Sequence, residues 1–82
     1  MSWRIDANRA LDAWEPGQPV SRIEAVHAWL LELSEAGPSS GAISAPWDED
    51  LFVDRIPAAD LIVTFLAVAQ DQYIVIKSFQ DL

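Results

Sequence analysis

The sequence predicts an α+β fold in which a short N-terminal strand and a two-helix hairpin precede a three-stranded antiparallel meander. Three features of the 82-residue chain lead to this prediction. Residues 51–79 contain three runs of β-branched and aromatic residues, two short breaks separate these runs, and residues 21–36 carry helix start and stop signals around an apolar stripe. We expect residues 1–82 to form a single domain of modest stability, because domains this small bury a limited share of their surface.

The N-terminal strand and the first helix rest on short patterns. Trp3 and Ile5 alternate with polar residues, which predicts a short strand with one buried face. Asn8 is a suitable N-cap for a short helix, and Pro16-Gly17 would end that helix.

The second helix has the strongest local signals in the chain. Residues Ser21 to Glu24 have the form of a capping box, and Val20 is placed to begin a hydrophobic staple. Gly37 followed by Pro38 predicts the end of the helix. The apolar residues between these signals recur at spacings of three and four and define one buried stripe: Ile23, Val26, Trp29, Leu30 and Leu33.

Residues 38–50 contain Pro, Gly and Ser without any periodicity, which predicts a long loop. We expect Ile43 and Trp47 to hold this loop against the body of the domain. Three carboxylates follow Trp47, and we expect them to be exposed to solvent just before the first strand of the meander: Asp48, Glu49 and Asp50.

The meander is expected to contain strands at Leu51–Ile56, Leu61–Ala69 and Tyr73–Phe79. The middle strand is apolar on both faces: Leu61, Val63, Phe65 and Ala67 alternate with Ile62, Leu66 and Val68. Such a strand is expected to be covered on both faces or to contribute one face to a partner surface.

Composition excludes several classes of protein. The chain has no cysteine, so it has no disulfide, no thiolate nucleophile and no cysteine-based metal site. No apolar run approaches the roughly 20 residues of a membrane helix, and the N-terminus lacks the pattern of a targeting segment. We therefore predict an untargeted, soluble protein of the cytoplasm that does not associate with membranes.

The charge balance argues against direct binding of nucleic acid. The chain has 13 acidic and 5 basic residues and a net charge of −8, and its cations are scattered along the sequence. Nucleic-acid binding depends on clustered Lys and Arg contacts to phosphates. An acidic surface instead suits a basic protein partner, or imitates nucleic acid towards a protein that normally binds it, although simple solubility explains the same charge.

The element order resembles the RelE/ParE superfamily of toxins from bacterial toxin–antitoxin pairs. The resemblance lies in three strand-like segments, which are 51–56, 60–65 and 72–77, and in the order strand, helix, helix, strand, strand, strand. It implies a fold of that type and a bacterial protein that binds either an antitoxin or a target protein. A homodimer is a further open alternative.

This chain departs from the nuclease branch of that superfamily. Those toxins carry basic residues on the sheet, whereas Leu61 or Ile62 stands here where the family has an arginine. Only Arg55 and Lys77 are available to contact RNA or a partner, and they are weak candidates. Phosphodiester cleavage needs cations around the pentavalent phosphate and a poised acid and base, so an active ribonuclease is not expected.

No other catalytic or metal site can be assembled from the sequence. His27 is the single histidine, and its place beside the apolar stripe favours a partly exposed helix residue over a general base. The consecutive acids 48–50 lack the alternating spacing and glycine turn of a calcium loop. We therefore predict no catalytic residues, no metal and no cofactor, and the balance is against an enzyme.

The four tryptophans leave two interpretations open. Large aromatic residues complete the core of a small protein, or one of them anchors a partner. Trp47 with Asp48, Glu49 and Asp50 combines an aromatic anchor with an acidic rim, so these four are the predicted partner-binding residues. The sequence thus favours a toxin-like, protein-binding component of a toxin–antitoxin pair, with a small acidic mimic of nucleic acid as the alternative.

Overall fold

A computed structural model describes residues 2–39 and 41–82 and has an α+β architecture. Within these residues, two helices and five strands follow one another. Their bounds are β1 Arg4–Asp6, α1 Asn8–Trp14, α2 Val20–Ala36, β2 Ile43–Ala45, β3 Asp48–Ile56, β4 Leu61–Val68 and β5 Tyr73–Asp81.

The strands form one mixed sheet in the order β1-β5-β4-β3-β2. Strands β3, β4 and β5 are the antiparallel meander that the sequence predicts, and β1 pairs with β5 in parallel. The α+β class is therefore confirmed. The sheet contains one strand more than the sequence predicts, because β2 adds to the outer edge of β3.

The core lies on one face of this sheet. In β4, Leu61, Val63 and Phe65 have no exposed surface and Ala67 is buried. Phe65 is the centre of an aromatic cluster, because the Phe52 ring stacks on it at 5.6 Å and the Trp29 ring meets it edge-on at 6.0 Å. Such offset and edge-to-face pairs add to the stabilisation from burial.

Both helices cover this same face, and the other face of β4 stays open. Helix α1 packs on β5, and α2 packs on β1, β3 and the turn after β3. The predicted two-helix hairpin is therefore wrong in one respect, since each helix packs mainly on the sheet and less on the other helix. The side chains on the open face of β4 are only partly buried: Ile62, Thr64, Leu66 and Val68.

The helix α2 begins differently from the prediction. Pro19 is the N-cap residue, with φ −61° and ψ 147°, and no side chain caps this end. The Pro19 carbonyl accepts hydrogen bonds from the N–H groups of Arg22 and Ile23 at 3.1 and 3.2 Å. The predicted capping box at Ser21 and staple at Val20 are wrong, because the fixed φ of proline already sets the chain for the first turn and places both residues inside the helix.

The predicted cap of α1 is also wrong, whereas the predicted end of α2 is confirmed. Ala7 occupies the N-cap position of α1 and Asn8 is the first helical residue, because Ala7 is drawn into the core. Helix α2 ends at Gly37, whose N–H donates to the Leu33 carbonyl at 2.8 Å. Gly37 has a φ of 74°, a value that favours glycine.

The predicted loop 38–50 contains a β-hairpin, which is a correction. Strand β2 pairs with β3 through Ile43↔Val53 and Ser44↔Phe52, and β3 begins at Asp48, three residues earlier than expected. The Ser44 hydroxyl also donates to the Glu49 carbonyl at 3.2 Å. Backbone pairing stabilises this hairpin where side-chain propensity does not, which is why its composition resembles a loop. Ser40 lies outside the described residues.

The breaks within the meander are tight 3-10 turns at Pro57–Ala59 and Ala69–Asp71. Each turn ends on a non-glycine residue with positive φ, Asp60 at 53° and Gln72 at 47°. Neither helix in the described part of the chain is long and apolar enough to span a bilayer.

Candidate functional site

The hairpin between β2 and β3 places Trp47 at an exposed tip. Its side chain is 80% exposed, and Ile43 at the start of the hairpin is 70% exposed. The expectation that these two residues hold the segment against the body is therefore wrong. The other three tryptophans, Trp3, Trp14 and Trp29, pack against the core, so the core interpretation holds for them and fails for Trp47.

Three exposed carboxylates adjoin Trp47. Asp48, Glu49 and Asp50 form the first part of β3, where Asp48 pairs with Ala45 of β2, a register shift follows, and none of the three pairs with β4. The Asp50 N–H donates to Asp48 Oδ1 at 3.0 Å, which fixes the start of the strand. We call these four residues, Trp47 to Asp50, the acidic tip. It brings together all four partner-binding residues that the sequence predicts.

Among residues 2–39 and 41–82, no group of three or more His, Cys, Asp or Glu side chains is arranged to hold a metal ion. His27 lies on α2, where its Nε2 is 2.9 Å from Glu15 Oε1 and its side chain is 54% exposed. This contact joins the two helices at the surface, and both helices lie against the sheet.

The two weak candidates for RNA or partner contact do not converge. Arg55 lies on β3 and lines a groove of 490 Å³ with Ile43, Val53 and Ile62. Lys77 lies on β5, on the other side of β4, at the point where the β4–β5 register shifts. It lines a different groove with Arg9 and Asp6, between α1 and β5.

Arg22 has a structural role that sequence reasoning missed. Its guanidinium donates to the Ala59 carbonyl at 2.9 Å, to Gln18 Oε1 at 2.8 Å and to Asp81 Oδ1 at 2.6 Å. It also lies 5.8 Å from the centre of the Trp14 ring. A single arginine thus joins α2 to the turn between β3 and β4 and to the end of β5, and no local sequence pattern indicates contacts between residues so far apart.

The uncovered side of the sheet is a second exposed surface, which we call the open face. Register places on it the side chains that alternate with the core residues. Val53 at its centre is 38% exposed. The apolar members are Ile43, Leu51, Val53, Ile62, Leu66, Val68, Tyr73 and Val75.

The parts of β3 and β5 that extend beyond β2 and β1 carry features that oppose pairing with another strand. At the β3 edge, beyond the end of β2, the Asp54 carboxylate accepts from the Arg55 N–H at 2.8 Å and from the Ser39 hydroxyl at 3.1 Å. At the β5 edge, beyond the end of β1, the bulge and Lys77 interrupt a regular strand. Charged residues and bulges are the features that block edge-to-edge association.

Comparison with protein-family models, with curated proteins and with solved structures found no match to this chain. The acidic tip and the open face are therefore interpreted from their own geometry and charge.

Proposed function

We propose that this protein acts by binding another protein, and that the acidic tip is its contact site for a basic partner. The observation that carries the proposal is the 80% exposure of Trp47 next to three exposed carboxylates. Because the Trp47 side chain is exposed to water, it does not contribute to the packing of the core. At interfaces, tryptophan is among the residues that contribute most to binding energy.

The electrostatics of the chain support a basic partner. The acidic tip has three adjacent carboxylates in a protein whose net charge is −8. Opposite charge on a partner raises the rate of association, and salt reduces this effect because the carboxylates are exposed.

The partner-binding role that we propose is that of a toxin-like component of a bacterial toxin–antitoxin pair, without ribonuclease activity. Support comes from the element order, in which a strand and two helices come first and the meander comes last, with the additional strand β2 between them. The separation of Arg55 from Lys77 supports the absence of nuclease activity, because a phosphodiester transition state needs cations at one place.

The alternative is a small acidic inhibitor that imitates nucleic acid. The observation in its favour is the scarcity of positive charge in the chain, which has 5 basic and 13 acidic residues, together with the structural use of Arg22. A mimic of nucleic acid would compete directly with DNA or RNA for a basic enzyme, and its effect would weaken steeply with salt.

Expression in a bacterial host tests the proposed role. We expect induction of the intact chain to arrest growth, and co-expression of the protein encoded beside it to restore growth, because a toxin requires an adjacent antidote. Trp47→Ala should abolish the arrest, whereas Leu31→Ala, a change at an exposed apolar residue of α2, should not. Absence of arrest, or arrest unchanged by Trp47→Ala in a folded variant, would contradict the proposal.

Primer extension on messenger RNA in a ribosome-dependent translation assay tests the proposed absence of ribonuclease activity. We expect no codon-positioned cleavage, because the sheet lacks clustered cations. Cuts that disappear in the double variant Arg55→Ala, Lys77→Ala would show that the protein is a nuclease.

A further inference from the structure

We propose that the open face is the contact surface for a second copy of this chain, so that the protein is a weak, symmetric dimer with its two sheets packed face to face. This inference goes beyond the proposed partner and concerns a surface other than the acidic tip. It rests on the polarity, charge and size of the open face and on the features of the sheet edges that oppose strand addition.

The first argument is that most side chains on the open face are apolar, and that Thr64 and Ser78 are the uncharged polar members of its middle row. Two of the apolar side chains, Leu51 and Val53, lie on β3, and two, Ile62 and Leu66, lie on the adjacent strand β4. In the register of the two strands, Leu51 is opposite Leu66 and Arg55 is opposite Ile62. These four apolar side chains are partly exposed, and none belongs to the buried core cluster. Contiguous apolar patches of this kind on a folded domain are typical of interaction surfaces.

The second argument is charge, which distinguishes this face from the rest of the molecule. Register places Arg4, Arg55 and Asp6 on the open face, and Asp54 lines the same groove as Arg55, so charges of the two signs are balanced there, whereas the whole chain has 13 acidic and 5 basic residues. Two copies with a net charge of −8 repel each other through most of their surface. The open face is close to neutral, so two copies that meet through it oppose little net charge.

The third argument is that the polar groups on the rim are already held in place. The Arg4 guanidinium lies 5.1 Å from the centre of the Tyr73 ring, and the Tyr73 hydroxyl is 3.4 Å from Asp6 Oδ2. These contacts keep Arg4 and Asp6 at one margin of the open face. The apolar side chains of the open face are therefore free to pack against an identical surface related by a two-fold axis.

The fourth argument concerns the sheet edges. On β3, the Arg55 N–H already donates a hydrogen bond to the Asp54 carboxylate. On β5, the bulge at Lys77 interrupts the regular strand. The outermost strands β1 and β2 are only three residues long, and very short edge strands also disfavour strand addition, so association through the face is the favoured route for the sheet.

The size of the open face sets the expected strength of the dimer. An eight-residue strand is about 26 Å long, and four strands spaced by about 4.8 Å span about 19 Å, which gives a footprint of about 500 Å² per copy. Two copies would bury about 1,000 Å² in total, at the lower limit for a specific interface. We therefore expect a dissociation constant on the order of 10 to 100 µM.

Analytical ultracentrifugation of the intact chain tests this proposal. We expect a reversible monomer–dimer equilibrium between about 1 and about 300 µM, and we expect dimerisation to strengthen several-fold when salt rises from about 0.05 to about 0.5 M, since salt screens the repulsion. Binding through the acidic tip has the opposite salt dependence. The two proposals can therefore fail independently.

Variants locate the interface. Val53→Glu and Leu66→Glu should each weaken dimerisation at least about tenfold, because each places a carboxylate among the apolar side chains of the open face. Leu31→Glu is the matched control, since Leu31 is 61% exposed on α2 and the change adds the same charge away from the sheet. If Leu66→Glu does not fold, the milder double variant Val53→Thr, Leu66→Thr should still weaken dimerisation several-fold.

Two results would overturn the proposal. One is a protein that stays monomeric over the whole concentration range at both salt concentrations. The other is a dimer whose dissociation constant is the same in wild type, in Val53→Glu and in the double threonine variant.

Discussion

Gly37→Ala should lower the free energy of unfolding by about 3 kcal/mol, the largest effect that we expect from a change of one methyl group. Gly37 has φ 74° and ψ −170°, a backbone conformation that is essentially restricted to glycine. A Cβ at this position would also lie 2.6 Å from Nε1 and 2.8 Å from Cε2 of Trp3. Urea denaturation followed by tryptophan fluorescence measures the loss.

Gly17→Ala is the matched control for this prediction. Gly17 also has a positive φ, 83°, but a Cβ there would meet nothing within 4 Å. The control should therefore lose only about 1 kcal/mol, which reflects backbone strain alone. Equal losses for the two variants would show that Trp3 does not pack over the end of α2 as described.

Arg22→Ala should lower the free energy of unfolding by about 3 kcal/mol. The change removes the donor for the Ala59 carbonyl, and Ala59 is 2% exposed, so water cannot readily replace that donor. It also removes the contact with the Trp14 ring. The measurement is again urea denaturation.

Two control variants separate the contribution of the Ala59 contact from those of the Asp81 ion pair and of a positive charge as such. Asp81→Asn should lose no more than about 1 kcal/mol, since Asp81 is 74% exposed and such ion pairs contribute little. Arg9→Ala, which removes an exposed arginine from α1, should change stability by less than about 0.5 kcal/mol. A loss for Asp81→Asn as large as for Arg22→Ala would contradict the assigned role of the Ala59 contact.

The meander was predictable from sequence because its signals are local. Alternation in 61–67 identifies the core face, and Pro57 and the polar residues 70–72 mark the turns. The start of β3 and the whole of β2 were not predictable in the same way. Their residues include Ser44, Asp48 and Asp50, which have low strand propensity, and only pairing between the two segments makes them strands.

The predictions of the helix N-caps were wrong for a related reason. A side chain such as Ser21 or Asn8 can cap a helix in a peptide, but in the folded chain Pro19 and Ala7 take the N-cap positions. The fixed φ of Pro19 and the burial of Ala7 decide where each helix begins, and burial depends on residues far away in sequence.

The candidate site was predictable in composition but not in conformation. Trp47 and the acids 48–50 attract notice in the sequence as an aromatic anchor and an acidic rim, yet the sequence did not reveal that they occupy the tip of a hairpin. The alternation in β4 left two alternatives, cover on both faces or a partner surface; the first is wrong, because the second face of β4 is uncovered, and the second stays a prediction. The helices could have covered either face, and only tertiary packing shows which face they leave open.

Titration calorimetry of Trp47→Ala against the protein partner recovered with the intact chain, at two salt concentrations, tests the central claim most directly. We expect the affinity to fall by about 2 kcal/mol, which is about 30-fold, because Trp47 anchors the contact. Combined neutralisation of Asp48, Glu49 and Asp50 should mainly slow association at low salt, whereas His27→Ala and Leu31→Ala should change little. Unchanged affinity for a folded Trp47→Ala variant would contradict the claim that the acidic tip is the binding site.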